Sequence, residues 1–199
     1  MRRFFALLLV AVVLAVSGLS FAQGAPTALD FVKVGHTNLT ALISQPASAD
    51  RDAKISAQFD LLIDYGELAK GCFRADWGKL TPAQQVEVTD LLKKLVQKNY
   101  RKNLKRTLEY TVTYPSSSQQ GAAVRVHTVA TNKTNARDTV EIDYLVVGGV
   151  GSFKIVDLIT EGSSLTNSYY TQFTSMLANP AQGYPYIAQK IKDKLAKPD

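Results

Sequence analysis

Cysteine occurs once in the 199 residues, at Cys72, so no disulfide can form within the chain. Stability must therefore come from a packed core, and a lone cysteine of this kind reads as a small buried hydrophobe. Histidine occurs only twice, at His36 and His127, and neither has a carboxylate or second ligand at metal-binding spacing. There is no G-x-S-x-G elbow for a serine nucleophile, and no glycine-rich phosphate loop. Gly148-Gly149-Val150-Gly151 lies between two strand-like segments, where glycine serves a turn. Metal, cofactor and nucleotide chemistry thus have no motif to rest on. The one N-terminal apolar run is too short for a comfortable membrane span, and no second one follows.

That first run has the build of a secretory leader. Arg2 and Arg3 form a positive start, Phe4 to Val16 an apolar middle, and Ser20-Phe21-Ala22 a small-residue cleavage site. Residues 1–22 are expected to be a cleaved signal peptide, leaving residues 23–199 as one domain exported in soluble form. Removing two arginines takes the net charge from +6 to +4. A basic exported protein is expected to meet acidic proteins or anionic lipid headgroups, and no nucleic acid.

Helical patterning dominates the first half. Stripes of apolar residues run from Ala28 to Gln45 and from Ala47 past Ile63, with Gly66 expected to interrupt the second. A short helix is expected around Leu68, Cys72 and Phe73. Thr81-Pro82-Ala83-Gln84 then supplies a capping threonine, a proline at the first helical position and a glutamine three residues after the cap. The helix that follows runs to about Arg106, with Lys94, Lys98, Arg101, Lys102 and Lys105 along one face. Either a solvated surface or a docking face for an acidic partner fits that stripe.

Beyond Thr107 the period changes to two, giving four strands in an antiparallel meander that ends with Phe153 to Ile159. Two helices close the chain, from Ser164 to Ala178 and from Tyr186 to Ala196. The order is α+β: a curved antiparallel sheet of about four strands with helices packed on one face, around an apolar pocket or a filled core. Candidate pocket residues are Tyr110, Val112, Val126, Ile142, Tyr144, Ile155 and Ile159 from the sheet. The helices offer Leu68, Phe73, Leu92, Leu95, Tyr169, Phe173 and Met176. Periodicity alone does not separate a hollow from a filled interior. Asp157 and Glu161, expected to share a strand face, are the best candidates for a paired-carboxylate hydrolase.

Three segments carry a resemblance. Trp77-Gly78-Lys79-Leu80-Thr81-Pro82-Ala83-Gln84 precedes a long helix holding Leu91, Leu92 and Tyr100. Val156-Asp157-Leu158-Ile159-Thr160-Glu161-Gly162-Ser163-Ser164-Leu165 is similar to V-x-D-x-x-x-E-G-x-S-L, matching it from the aspartate onward, and Tyr169 to Phe173 fits Y-x-x-Q-F. Together they resemble the MlaC/toluene-tolerance family of periplasmic phospholipid-binding proteins, over roughly Phe59 to Leu195. Phe153 departs from it, standing where many members carry tryptophan. The resemblance implies a monomeric, cofactor-free carrier that is not an enzyme. It would bury acyl chains, leave the headgroup in water and maintain outer-membrane lipid asymmetry. Its partners would be an MCE-domain protein of an inner-membrane ABC transporter and an outer-membrane lipoprotein–porin complex. A hopanoid or isoprenoid cargo, a small hydrolase using the same cavity and an adaptor with a filled core are the competing readings. On this reading Gly162 reverses the chain, a serine caps the next helix, and Asp157 and Glu161 fix the corner.

Overall fold

Thr27 and Asp30 form a reciprocal capping box at the start of helix α1 (Ala28–Ile43), and Ser48 caps α2 (Ala49–Leu62). The structure, a computed structural model, describes residues 25–197, without the side chains of residues 102–105. The expected leader lies outside the described residues.

The break after α2 falls at Ile63-Asp64 rather than at Gly66. Ile63 turns extended and bridges Ile155 in parallel, while the Asp64 amide donates to the Ile155 carbonyl at 3.0 Å. The Asp64 side chain then caps α3 (Tyr65–Phe73), which leaves Gly66 inside the first helical turn. A short 3-10 segment (Arg74–Lys79) leads into α4 (Pro82–Thr107), whose 26 residues span about 39 Å. Its capping pair forms as the sequence suggests: the Gln84 amide donates to Thr81 Oγ1, and the Thr81 amide to Gln84 Oε1.

The sheet is a simple meander of five strands: β1 (Tyr110–Gln120), β2 (Ala123–Asn132), β3 (Thr139–Val147), β4 (Lys154–Thr160) and the short β5 (Ser163–Ser164). The extra strand is the two-residue return of the β4 hairpin, too short to show a period-two pattern. Two irregularities shift the alternation, one between Thr113 and Ser116 in β1 and one at Val156 in β4, where Leu145 and Val146 pair with Asp157 and Ile155. Helices α5 (Leu165–Ala178) and α6 (Gly183–Ala196) then pack with α3 and α4. Phe73, Leu68, Leu92, Ile187 and Ile191 are fully buried there, with the Phe73 and Phe173 rings 4.9 Å apart.

The corner between β4 and α5 is built as a tight hairpin. Thr160 pairs with Ser163, and the two residues between them, Glu161 and Gly162, have φ of 49° and 76°. Two successive positive φ values match the twist of a two-residue hairpin. A Cβ added at Gly162 meets nothing within 4 Å, so the cost of a side chain is one of backbone conformation alone. Gly162→Val is therefore expected to lower the thermal midpoint by about 3–8 °C, measured by circular dichroism melting. An unchanged midpoint would show that the corner tolerates another backbone path.

Candidate functional site

Between the sheet and the helices lies a cavity of about 730 Å³. Helix α1 contributes Val32, His36 and Leu39, and α2 with its exit contributes Phe59, Leu62 and Ile63. The last turns of α4 contribute Val96, Tyr100 and Arg106. The floor is the inner face of the sheet, where Val112, Ala130 and Val140 stand side by side across three strands. Sheet residues alternate, so the same face carries Tyr110, Thr128, Ile142 and Tyr144.

The structure brings Tyr110, Val112, Ile142, Tyr144 and Ile155 of the sequence candidates to the cavity wall. The others lie elsewhere. Leu68, Phe73, Leu92, Leu95, Tyr169, Phe173 and Met176 fill the contacts between α3, α4, α5 and α6. Those helices pack against one another, so these side chains bury one another in the core. Val126 shares a face with Tyr144, but is closed over in the core. Ile159 pairs with Asp143 on the outer face, because the bulge at Val156 inserts one residue between Ile155 and Ile159. Leu158 lines the cavity in its place. Residues of α1 and α2 were legible as apolar stripes but carried no sign that they stand off from the sheet.

Several of the polar lining groups gather at one end of the cavity, while His36, Thr128 and Tyr144 lie along its wall. The strand register puts Tyr110, Val140 and Thr160 at the end of the sheet nearest the α4 C-terminus. Arg106 and Thr107 flank that end, and Thr160, Ser163 and Ser168 complete its rim. Among the described lining residues Arg106 alone carries a formal charge at neutral pH, and no carboxylate lines the wall. Burial pushes the Tyr100 phenol up to about 12 and the Tyr144 phenol further still, so both are neutral donors.

His36 of α1 faces Tyr114 of β1, with Nδ1 and Oη 2.7 Å apart. Burial holds the His36 pKa below its ordinary value, because protonation would place a charge in apolar surroundings. The unfolded chain then takes up the proton first. The stability from neutral His36 is complete above the ordinary histidine value of about 6.5 and is lost as pH falls through the lower folded-state value. Urea midpoints are expected to fall between about pH 7 and pH 5 in the native protein and to fall less in His36→Gln. Identical slopes in the two would contradict this.

The carboxylates do not form a reaction centre. Asp157 is buried and accepts from the Leu158 and Thr166 amides and the Ser164 and Thr166 hydroxyls. Glu161 turns away from it and accepts from the Glu141 amide at 2.8 Å. A bulge and a hairpin turn thus separate two residues that a regular strand would put on one face. Ser164 caps α5 through the Asn167 amide. His127 does have an acidic partner, which sequence spacing hid: Asp143, opposite it on β3, holds His127 Nδ1 at 2.6 Å and the Arg125 guanidinium. Burial pushes the Asp143 carboxyl up, but His127 and Arg125 outweigh it and hold the pKa below its ordinary value. This cluster is on the sheet's outer face. Cys72 is fully buried, and burial pushes its thiol up to about 12, which leaves it protonated at neutral pH. Among the described residues no group of three or more His, Cys, Asp or Glu could hold a metal ion.

The basic stripe of α4 is partly engaged. Lys98 donates to the carbonyls of Leu195 and Lys197 at the end of α6, and Lys94 pairs with Asp90 at 2.6 Å. Arg101 reaches Ser56 and Gln97, and with Lys94, Gln97, Lys98 and Leu195 it borders a groove of about 360 Å³. Lys102 and Lys105 belong to the segment whose side chains are outside the description.

Fold and site together define a class: an α+β binding protein whose site is an apolar cavity with a polar rim. The sequence model of the family described as MlaC protein matches residues 36–193, and the chain belongs to that family. Among solved structures, a phospholipid-binding protein from Ralstonia solanacearum, in complex with a phospholipid, has the same fold. The TM-score is 0.73 at 21% identity, over 85% of this chain and 99% of that one. No curated protein sequence matches the chain.

Proposed function

We propose that this protein is a periplasmic phospholipid carrier. The observation that carries the reading is the cavity of about 730 Å³, lined mainly by apolar side chains and with a group of polar residues at one rim. Hiding acyl chains from water yields about 0.8 kcal/mol per methylene, so such a wall supplies affinity without any reaction. A rim of hydroxyls lets a headgroup stay hydrated, which avoids the cost of burying a phosphate. Membership of the MlaC family and the fold shared with a phospholipid-binding protein support the same cargo. The carrier acts after export and removal of residues 1–22, as a monomer and without a cofactor. It takes lipid between an MCE-domain protein of an inner-membrane ABC transporter and an outer-membrane lipoprotein–porin complex, which maintains outer-membrane lipid asymmetry. The groove at Lys94, Lys98 and Arg101 is the docking face we assign to an acidic segment of one partner. Because Lys98 holds the end of α6, charge reversal at Lys94 and Arg101 is the cleaner probe of docking.

Native mass spectrometry of protein purified without added lipid tests the cargo. A bound phospholipid mass is the expected result. A hopanoid or isoprenoid mass would replace the cargo, and a lipid-free chain that takes up nothing from vesicles would overturn the reading.

A further inference from the structure

Arg106 sits on the last turn of α4, at the rim where the cavity meets water. Among the described residues it has no ion-pair partner, and no acid lines the cavity to neutralise it. The neighbouring donors are all uncharged. Thr107 follows it in the chain, the Tyr100 phenol bonds to Thr107, and the β4–β5 return brings Thr160 and Ser163 to the same end. Deeper in, the Tyr144 phenol has no hydrogen-bond partner among the described residues and has Tyr100 and Tyr114 as its phenolic neighbours. Among the described lining residues, a single cation beside neutral donors at the mouth of an apolar cavity is complementary to an amphiphile with a net negative charge.

We infer that the α4 end of the cavity is a phosphate-ester subsite in which Arg106 is the specificity-determining residue, and that the cargo is a net-anionic phospholipid. The inference rests on the carrier reading and adds a selectivity to it. A guanidinium offers a fork of N–H donors that matches two phosphate oxygens. A zwitterionic headgroup presents the same phosphate, but brings an ammonium that repels the guanidinium and offsets part of the attraction. The rim is exposed, so the discrimination is modest, about three- to fivefold at low salt, and shrinks as salt is raised. Arginine near a helix C-terminus also suits the helix dipole. That role alone would make substitution cost stability and leave cargo composition unchanged.

The test loads delipidated protein from vesicles of equal parts phosphatidylglycerol and phosphatidylcholine with identical acyl chains, then measures the bound lipids by mass spectrometry. Mixed vesicles give every variant the same membrane surface, so general attraction of a basic protein to anionic bilayers cancels. The expected result is phosphatidylglycerol enrichment in the native protein, retained in Arg106→Lys and lost in Arg106→Gln, read as the ratio of the two bound lipids. Equal enrichment in the native protein and Arg106→Gln would overturn the inference and leave the carrier intact. So would no enrichment in either, and if inorganic phosphate then bound delipidated protein through Arg106, the site would be one for free phosphate. No loading of either lipid would overturn the carrier reading instead.

Discussion

Ala130→Trp is expected to cut phospholipid loading by roughly a hundredfold while the fold persists. Ala130 stands on the cavity floor between Val112 and Val140, and all three line the hollow. An indole there projects into space that the proposal gives to an acyl chain. Excluding about four methylenes forfeits about 3 kcal/mol, which is roughly two powers of ten in affinity. The ring enters a hollow rather than a filled core, so overpacking strain is small and the thermal midpoint should stay within a few degrees. Loading is measured by extracting lipid from protein re-isolated after incubation with vesicles. Undiminished loading in a folded variant would place the cargo elsewhere.

Asp157→Ala is expected to be the most damaging single change to stability. The carboxylate joins the end of β4 to the first turn of α5: Oδ1 accepts from the Leu158 amide at 2.9 Å and the Thr166 amide at 3.0 Å. Its other oxygen accepts from the Ser164 hydroxyl at 2.6 Å and the Thr166 hydroxyl at 2.9 Å. Alanine leaves these donors without their acceptor in a buried corner, at a cost of about 3 kcal/mol. For a domain of this size that lowers the thermal midpoint by about 6–12 °C. Asp157→Asn keeps an acceptor for the amides and should fall between the two. Loss of function with the midpoint unchanged would instead point to a chemical role for the carboxylate.

The parts of this molecule that were readable in the sequence are those where neighbours along the chain decide the outcome. Thr81 and Gln84 cap α4, and Glu161-Gly162 makes the turn before a serine cap, because those interactions span three or four residues. The meander followed from period-two patterning and short turns. The cavity did not, because a stripe says which side of a helix is apolar but not how far the facing wall stands. Phe73 and Phe173 carry the same signal as Phe59, yet the first two close on each other while Phe59 faces the hollow. The bulge in β4 also moved residues between faces, which exchanged Ile159 for Leu158. The His127–Asp143 pair was hidden for a related reason, since cross-strand register brings together residues 16 apart in sequence. In the sequence Arg106 marked only the end of the long helix, and only the fold sets it at a cavity mouth.

The central claim is that the cavity carries phospholipid through water from one membrane to another. Its most direct test is the transfer of a labelled phospholipid between donor and acceptor vesicles held apart by a membrane that passes the protein but not the vesicles. The account predicts transfer in proportion to the concentration of native protein, and transfer close to the protein-free background with Ala130→Trp. Background transfer by the native protein, or equal transfer by the occluded variant, would contradict it.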